Sequence, residues 1–135
     1  MIQRIQSLWL LLSAGCSVAA ILLPFYGGNT SGNLYERLSG QSHFHLLILC
    51  VAVGLGSLVS IFLYKNRKRQ MQITFVALVL QLLNIFFFIQ QSNGFIDGTY
   101  SLGSIFSFVT PVLLILAIIG IRKDEQLIKN MDRLR

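Results

Sequence analysis

Residues 44–71, "FHLLILCVAVGLGSLVSIFLYKNRKRQM", run for twenty-one positions without Asp, Glu, Lys or Arg and then place Lys65, Arg67, Lys68 and Arg69 within five. At about 1.5 Å per residue, a helix of that length crosses a hydrocarbon layer of roughly 30 Å. A helix packed on a soluble core needs a polar face, and this run has none. Its basic ending is the pattern expected where a span leaves the bilayer on the cytoplasmic side.

Three further runs of the same kind occupy residues 7–24, 71–91 and 102–121. With 54% hydrophobic and only 12% charged residues and a mean hydropathy of +0.68, the composition excludes an ordinary soluble domain. Continuous apolar runs favour helices over barrel strands, which alternate and are about half as long. The expected fold is all-α: an integral membrane four-helix bundle, up-down, forming one domain over residues 1–135. Arg4 ahead of the first run, with Ser17-Val18-Ala19 within it, resembles a signal peptide, but Ile21-Leu22-Leu23 continue the run and favour an uncleaved helix. Cys16 and Cys50 both fall inside spans, where they read as small packing residues rather than a disulfide framework.

Charge then orients the bundle. Ten of the eleven Lys and Arg residues lie at one end: Arg4, then Lys65, Arg67, Lys68 and Arg69 between the second and third spans, then Arg122, Lys123, Lys129, Arg133 and Arg135. Only Arg37 lies at the other. The positive-inside rule therefore expects both termini and residues 65–69 in the cytoplasm. A short basic turn at the membrane has no room to track phosphates and does not offer the aromatic or polar groups needed to read or stack on bases, so nucleic acid is not the expected partner. The net charge of +6 instead predicts attraction to anionic headgroups of the lipid bilayer.

At the opposite end, the run Gly27-Gly28-Asn29-Thr30-Ser31-Gly32-Asn33 favours irregular structure, with Phe25, Tyr26, Tyr35 and Phe44 at headgroup depth. Asn93-Gly94 and Asp97-Gly98 suit tight turns in the second loop. Asn29-Thr30-Ser31 matches a glycosylation sequon by pattern alone.

Within the spans, Gln81 and Asn84 are the most polar residues, and their spacing of three puts them on one face of the third helix. Hydrogen bonding to neighbouring helices is the plain reading. A substrate or ion path is the sharper one, and the lack of an ionisable residue at mid-membrane weighs against proton coupling. Rows of small residues (Ser13 and Ser17, Gly15 and Ala19; Ala52, Gly56 and Ser60; Gly103 and Ser107) allow close helix approach, and Pro111 is expected to bend the fourth helix. His43 and His45 could supply two metal ligands, but no third lies nearby except Glu36, so no metal or other cofactor is expected. No nucleophile elbow, phosphate loop or carboxylate pair is present in the sequence, and enzymatic activity is not expected.

The tail, residues 122–135, is amphipathic: Leu127, Ile128, Met131 and Leu134 fall on one helical stripe. It is expected to contact either a protein partner or the cytoplasmic lipid surface.

The opening "MIQRIQSLWLLLSA" and the closing "KDEQLIKNMDRLR", most specifically Met1 to Gln6 and Asp132 to Arg135 around four apolar spans, resemble an uncharacterised family of small bacterial four-helix membrane proteins. The resemblance covers the full length and implies a bacterial inner-membrane location. It implies no activity. The expected role is an accessory or scaffold subunit that contacts another membrane protein or a second copy; the alternative is a transporter or channel subunit working as an oligomer.

Overall fold

The fold is that of a computed structural model, which describes residues 2–30, 32 and 34–133, without the side chains of 2–4 and 132. Arg4, Ser31, Leu134 and Arg135, named above, therefore carry no side-chain or placement statement. Four helices dominate: α1 (Ile2–Leu22), α2 (Phe44–Phe62), α3 (Arg67–Ser92) and α4 (Leu102–Arg133). All four are long and apolar enough to cross a membrane. Their outward surface is apolar along its length, with Leu11, Leu55, Phe75, Phe86 and Ile105 among its exposed side chains. Such a surface suits a hydrocarbon solvent.

The helices pack in a ring, each against the next and α4 back against α1. Direction alternates. Ser13 meets Ser57 and Ser60 meets Thr74, while Gln81 reaches Ser107 and Gln6 lies against Gly120. The first turns of α1, the start of α3 and the last turns of α4 consequently lie toward one end of the bundle. Two buried clusters fill the middle. One joins Leu10, Val53, Ala77, Leu114 and Ala117; the other joins Ala20, Phe25, Leu38, Leu46, Cys50 and Phe88 nearer the opposite end.

That opposite end corrects the sequence reading. Its loops are not irregular: β1 (Pro24–Asn29), β2 (Tyr35–Ser39) and β3 (Asp97–Tyr100) form one antiparallel sheet in the order β2-β1-β3. The glycines that suggested irregular structure are what allow the strands to meet. Gly28 pairs with Gly98, and a Cβ on Gly28 would stand 2.6 Å from the Gly98 Cα. A Cβ on Gly98 would in turn meet the Gly27 carbonyl oxygen at 2.8 Å. Glycine in a strand commonly marks such a close backbone approach. The fold is thus a helical bundle with a small sheet across one end, rather than helices alone.

Helix boundaries also move. The basic stretch is not a six-residue turn, because α3 begins at Arg67 and takes Arg67, Lys68 and Arg69 into its first turn. Lys65 remains in the short connection from Leu63 to Asn66. Nor is the tail a separate helix: α4 runs unbroken for 32 residues, through Pro111 and on to Arg133.

Candidate functional site

Polar side chains run through the bundle interior and join α1 to α2, α2 to α3 and α3 to α4. Between α1 and α2, the Ser13 hydroxyl donates to Ser57 Oγ at 3.0 Å, and Ser57 donates to the Val53 carbonyl of its own helix. Between α2 and α3, Thr74 Oγ1 donates to Ser60 Oγ at 3.2 Å, and Ser60 donates back to the Gly56 carbonyl. Hydroxyls that bond a carbonyl one turn back satisfy themselves locally and need no water. The sequence reading treated Ser13, Ser17 and Ser60 only as small packing residues; the pairing with Ser57 and Thr74 depends on helix register, which spacing alone does not carry.

Gln81 and Asn84 are both buried on α3, and they reach in different directions. Gln81 Nε2 donates to the Ser107 carbonyl of α4 at 2.8 Å. This carbonyl has a special need. In an α-helix it would accept from the N–H of residue 111, but residue 111 is proline and has no N–H. The side chain of α3 therefore replaces the backbone donor that Pro111 removes from α4. Proline in the fourth span and glutamine in the third form one device, with Thr110 Oγ1 donating to the Phe106 carbonyl beside it.

Asn84 turns the other way and donates from Nδ2 to Cys50 Sγ of α2 at 3.1 Å, while its Oδ1 is buried without a partner. Cys16 and Cys50 are both free. Cys50 also lines an apolar groove of about 700 Å³ that opens sideways between α1 and α2, with Gly15, Ser17, Gly54 and Leu58 in its walls.

The sheet end is closed by aromatics. Phe25 of β1 is fully buried; its ring stacks on Phe88 of α3 with centroids 4.4 Å apart and an interplanar angle of 15°, and Tyr100 meets it edge-on at 5.8 Å. Sequence reading placed Phe25 at headgroup depth, and no local signal shows that β1 turns it inward. His43 and His45 stack on each other, with centroids 5.4 Å apart, at the start of α2. No group of three or more His, Cys, Asp or Glu side chains placed to hold a metal occurs among the described residues.

At the basic end, the first turn of α3 contains no acid, and its cap Asn66 makes no side-chain bond to the exposed amides. Glu125 of α4 lies close by, beyond the apolar part of its helix. Its carboxyl is held below the ordinary value chiefly by the hydrogen bond and charge of Lys129, with Lys68 and Arg67 adding to the effect. Lys129 and Glu125, 3.0 Å apart, are the one ion pair among the described residues. Lys65, Arg67, Lys68, Arg69, Arg122 and Lys123 thus have no carboxylate partner there. Beyond Glu125, every described residue with a stated burial is exposed, including Leu127, Ile128 and Met131. Ile128 and Met131 continue the face of α4 that buries Ile121 and Asp124. Leu134, the last residue of the expected stripe, lies outside the described residues.

Four apolar helices joined by interior hydrogen bonds and capped at one end by a small sheet are the architecture of a multi-pass membrane protein. Residues 2–134 match the family described as the domain of unknown function DUF4293, and the chain belongs to that family. No curated protein and no solved structure gives a significant match.

Proposed function

We propose that the protein is an accessory or scaffold subunit of a bacterial inner-membrane complex, with its basic end in the cytoplasm and the projecting end of α4 as its docking element. One observation carries the reading. A helix of 32 residues is about 48 Å long, roughly 18 Å more than the hydrocarbon core requires, and its last turns present Leu127, Ile128 and Met131 to solvent. Apolar side chains continuing a buried face past the end of their own bundle suit a partner helix or groove. Anionic headgroups would hold the surrounding cations at the surface. The transporter alternative has less support, because polar interior side chains bond to one another and to backbone carbonyls, and the groove between α1 and α2 is apolar. No catalytic role is proposed, and no cofactor.

Changing Leu127, Ile128 and Leu134 together to Ser is expected to abolish co-purification of the partner from native membranes, with insertion and abundance unchanged. Retention of every co-purifying protein by that variant would refute the docking role and move the transporter reading ahead. Orientation is tested separately by fusions: alkaline phosphatase should be active after Gly32 or Gly98 and inactive after Arg69 or Arg135. The reverse pattern would invert the proposed topology.

A further inference from the structure

We infer that the cavity beside the hairpin of β1 and β2, where it meets the end of α3 and the start of α2, binds the ammonium group of an aminophospholipid. The cavity measures about 420 Å³, within the roughly 300–1,000 Å³ of small-ligand sites. Glu36 and Leu38 line it from β2, Gln91 from the last turn of α3, Phe95 from the chain just after that helix, and His43 from the position ahead of α2. Separate parts of the fold thus build one wall.

The charge of that wall points to a cation. Glu36 is the one carboxylate in it, and Glu36 Oε2 accepts only from the neutral Thr30 hydroxyl, at 3.3 Å. No ion pair engages Glu36 among the described residues, where Lys129 and Glu125 form the one pair. The adjacent Arg37 does not neutralise it. Alternation along β2 sends the Arg37 side chain to the other face of the sheet, and its guanidinium carbon lies 5.8 Å from the centre of the Tyr35 ring.

The acceptors match an ammonium group, which carries three donors and no acceptor. The Glu36 carboxylate, the neutral His43 imidazole and the Gln91 carboxamide oxygen supply three. Leu38, only 3% exposed, and Phe95, packed on Tyr26 with centroids 5.4 Å apart, add apolar surface for the methylenes beside the nitrogen. The link from β2 to α2 is also fixed in place. The Ser39 N–H donates to Ser42 Oγ at 2.9 Å, Ser42 Oγ donates to the Arg37 carbonyl at 3.1 Å, and the His43 ring stacks on His45.

The bilayer is the source of the amine. All four spans end or begin beside this sheet, which places the cavity at headgroup depth, where a tethered lipid is at far higher local concentration than a dissolved amine. The helix ends that border the cavity suit a zwitterion: α3 closes with no basic residue in its last turn, and α2 opens with no acid in its first. Ammonium and phosphate can each meet a helix end of opposite sign. The site stands whichever surface of the membrane this end faces, and whatever the end of α4 docks.

The test uses the full chain, purified in a neutral detergent and freed of lipid, then given equal amounts of phosphatidylethanolamine and phosphatidylcholine with the same acyl chains. Both lipids are zwitterionic, and only the first has N–H donors on its ammonium. Native mass spectrometry, which counts bound lipid, should find one phosphatidylethanolamine retained in preference. Glu36→Gln should reduce that preference about tenfold, and His43→Phe, which keeps a ring beside His45 and removes an acceptor, should reduce it in the same direction. Glu125→Gln, at the other end of the bundle, should leave it unchanged. Equal retention of the two lipids, full preference in either Glu36→Gln or His43→Phe, or a matching loss in Glu125→Gln would each overturn the site. Displacement of the bound lipid by millimolar ethanolamine would overturn the lipid as the source.

Discussion

Phe25→Ala is expected to lower stability by about 3–5 kcal/mol, the range for emptying a buried aromatic site that cannot collapse. Collapse is prevented on every side. The ring lies between Phe88 of α3, Phe108 of α4 and Tyr100 of β3, and the next residue, Tyr26, is paired on both edges of β1. Ser101 also donates its backbone N–H to the Phe25 carbonyl at 2.9 Å, so β1 cannot slide to fill the space. Thermal unfolding in detergent should show a midpoint lower by roughly 10 °C or more. A change of less than about 3 °C would mean that the sheet does not seal the bundle. Tyr26, which packs on Phe95 and Tyr100 from a partly exposed position, should tolerate Ala with a smaller loss.

Gln81→Leu should cost about 1–3 kcal/mol, more than an ordinary interhelical hydrogen bond inside a membrane, because it leaves a buried carbonyl with no donor at all. The pairing with Pro111 makes the claim specific. Pro111→Ala restores an N–H that the Ser107 carbonyl can accept, so the double variant should recover most of the loss. A double-mutant cycle in the same thermal assay measures the coupling. Additive losses would show that Gln81 acts through packing alone. Gln81→Met is a useful companion, since it keeps much of the shape and removes the donor.

The helices were legible because hydropathy integrates over about twenty residues, so a few substitutions cannot hide a span. Their ends were less so. The apolar runs 71–91 and 102–121 mark what a bilayer can hold, whereas α3 starts at Arg67 and α4 runs on to Arg133 because a helix can continue in water once it has nucleated. The sheet was missed for a different reason. Strand pairing there joins residue 28 to residue 98, and seven glycine, asparagine, threonine and serine residues in a row, 27–33, read locally as a loop. Gln81 and Asn84 stood out as polar residues, but their partners did not: Ser107 offers a backbone carbonyl and Cys50 a thiol. Pro111 was read as a bend, while its more specific effect, a carbonyl in need of a donor, became visible only with α3 beside it.

The position of β1 at the centre of the sheet has a consequence for synthesis. Its partner β2 follows it directly, in the same loop, and that hairpin can form as soon as the first two spans are in place. Its other partner, β3, lies beyond α3. During translation the β1 edge therefore waits, unpaired, while a further span is made and inserted. The last step is the docking of Gly103, whose absent side chain leaves room for the backbone of Leu23 and Pro24. Completion of the sheet thus requires that the third span has carried the chain back to the same end, and a chain that stops before Asp97 keeps an open strand edge.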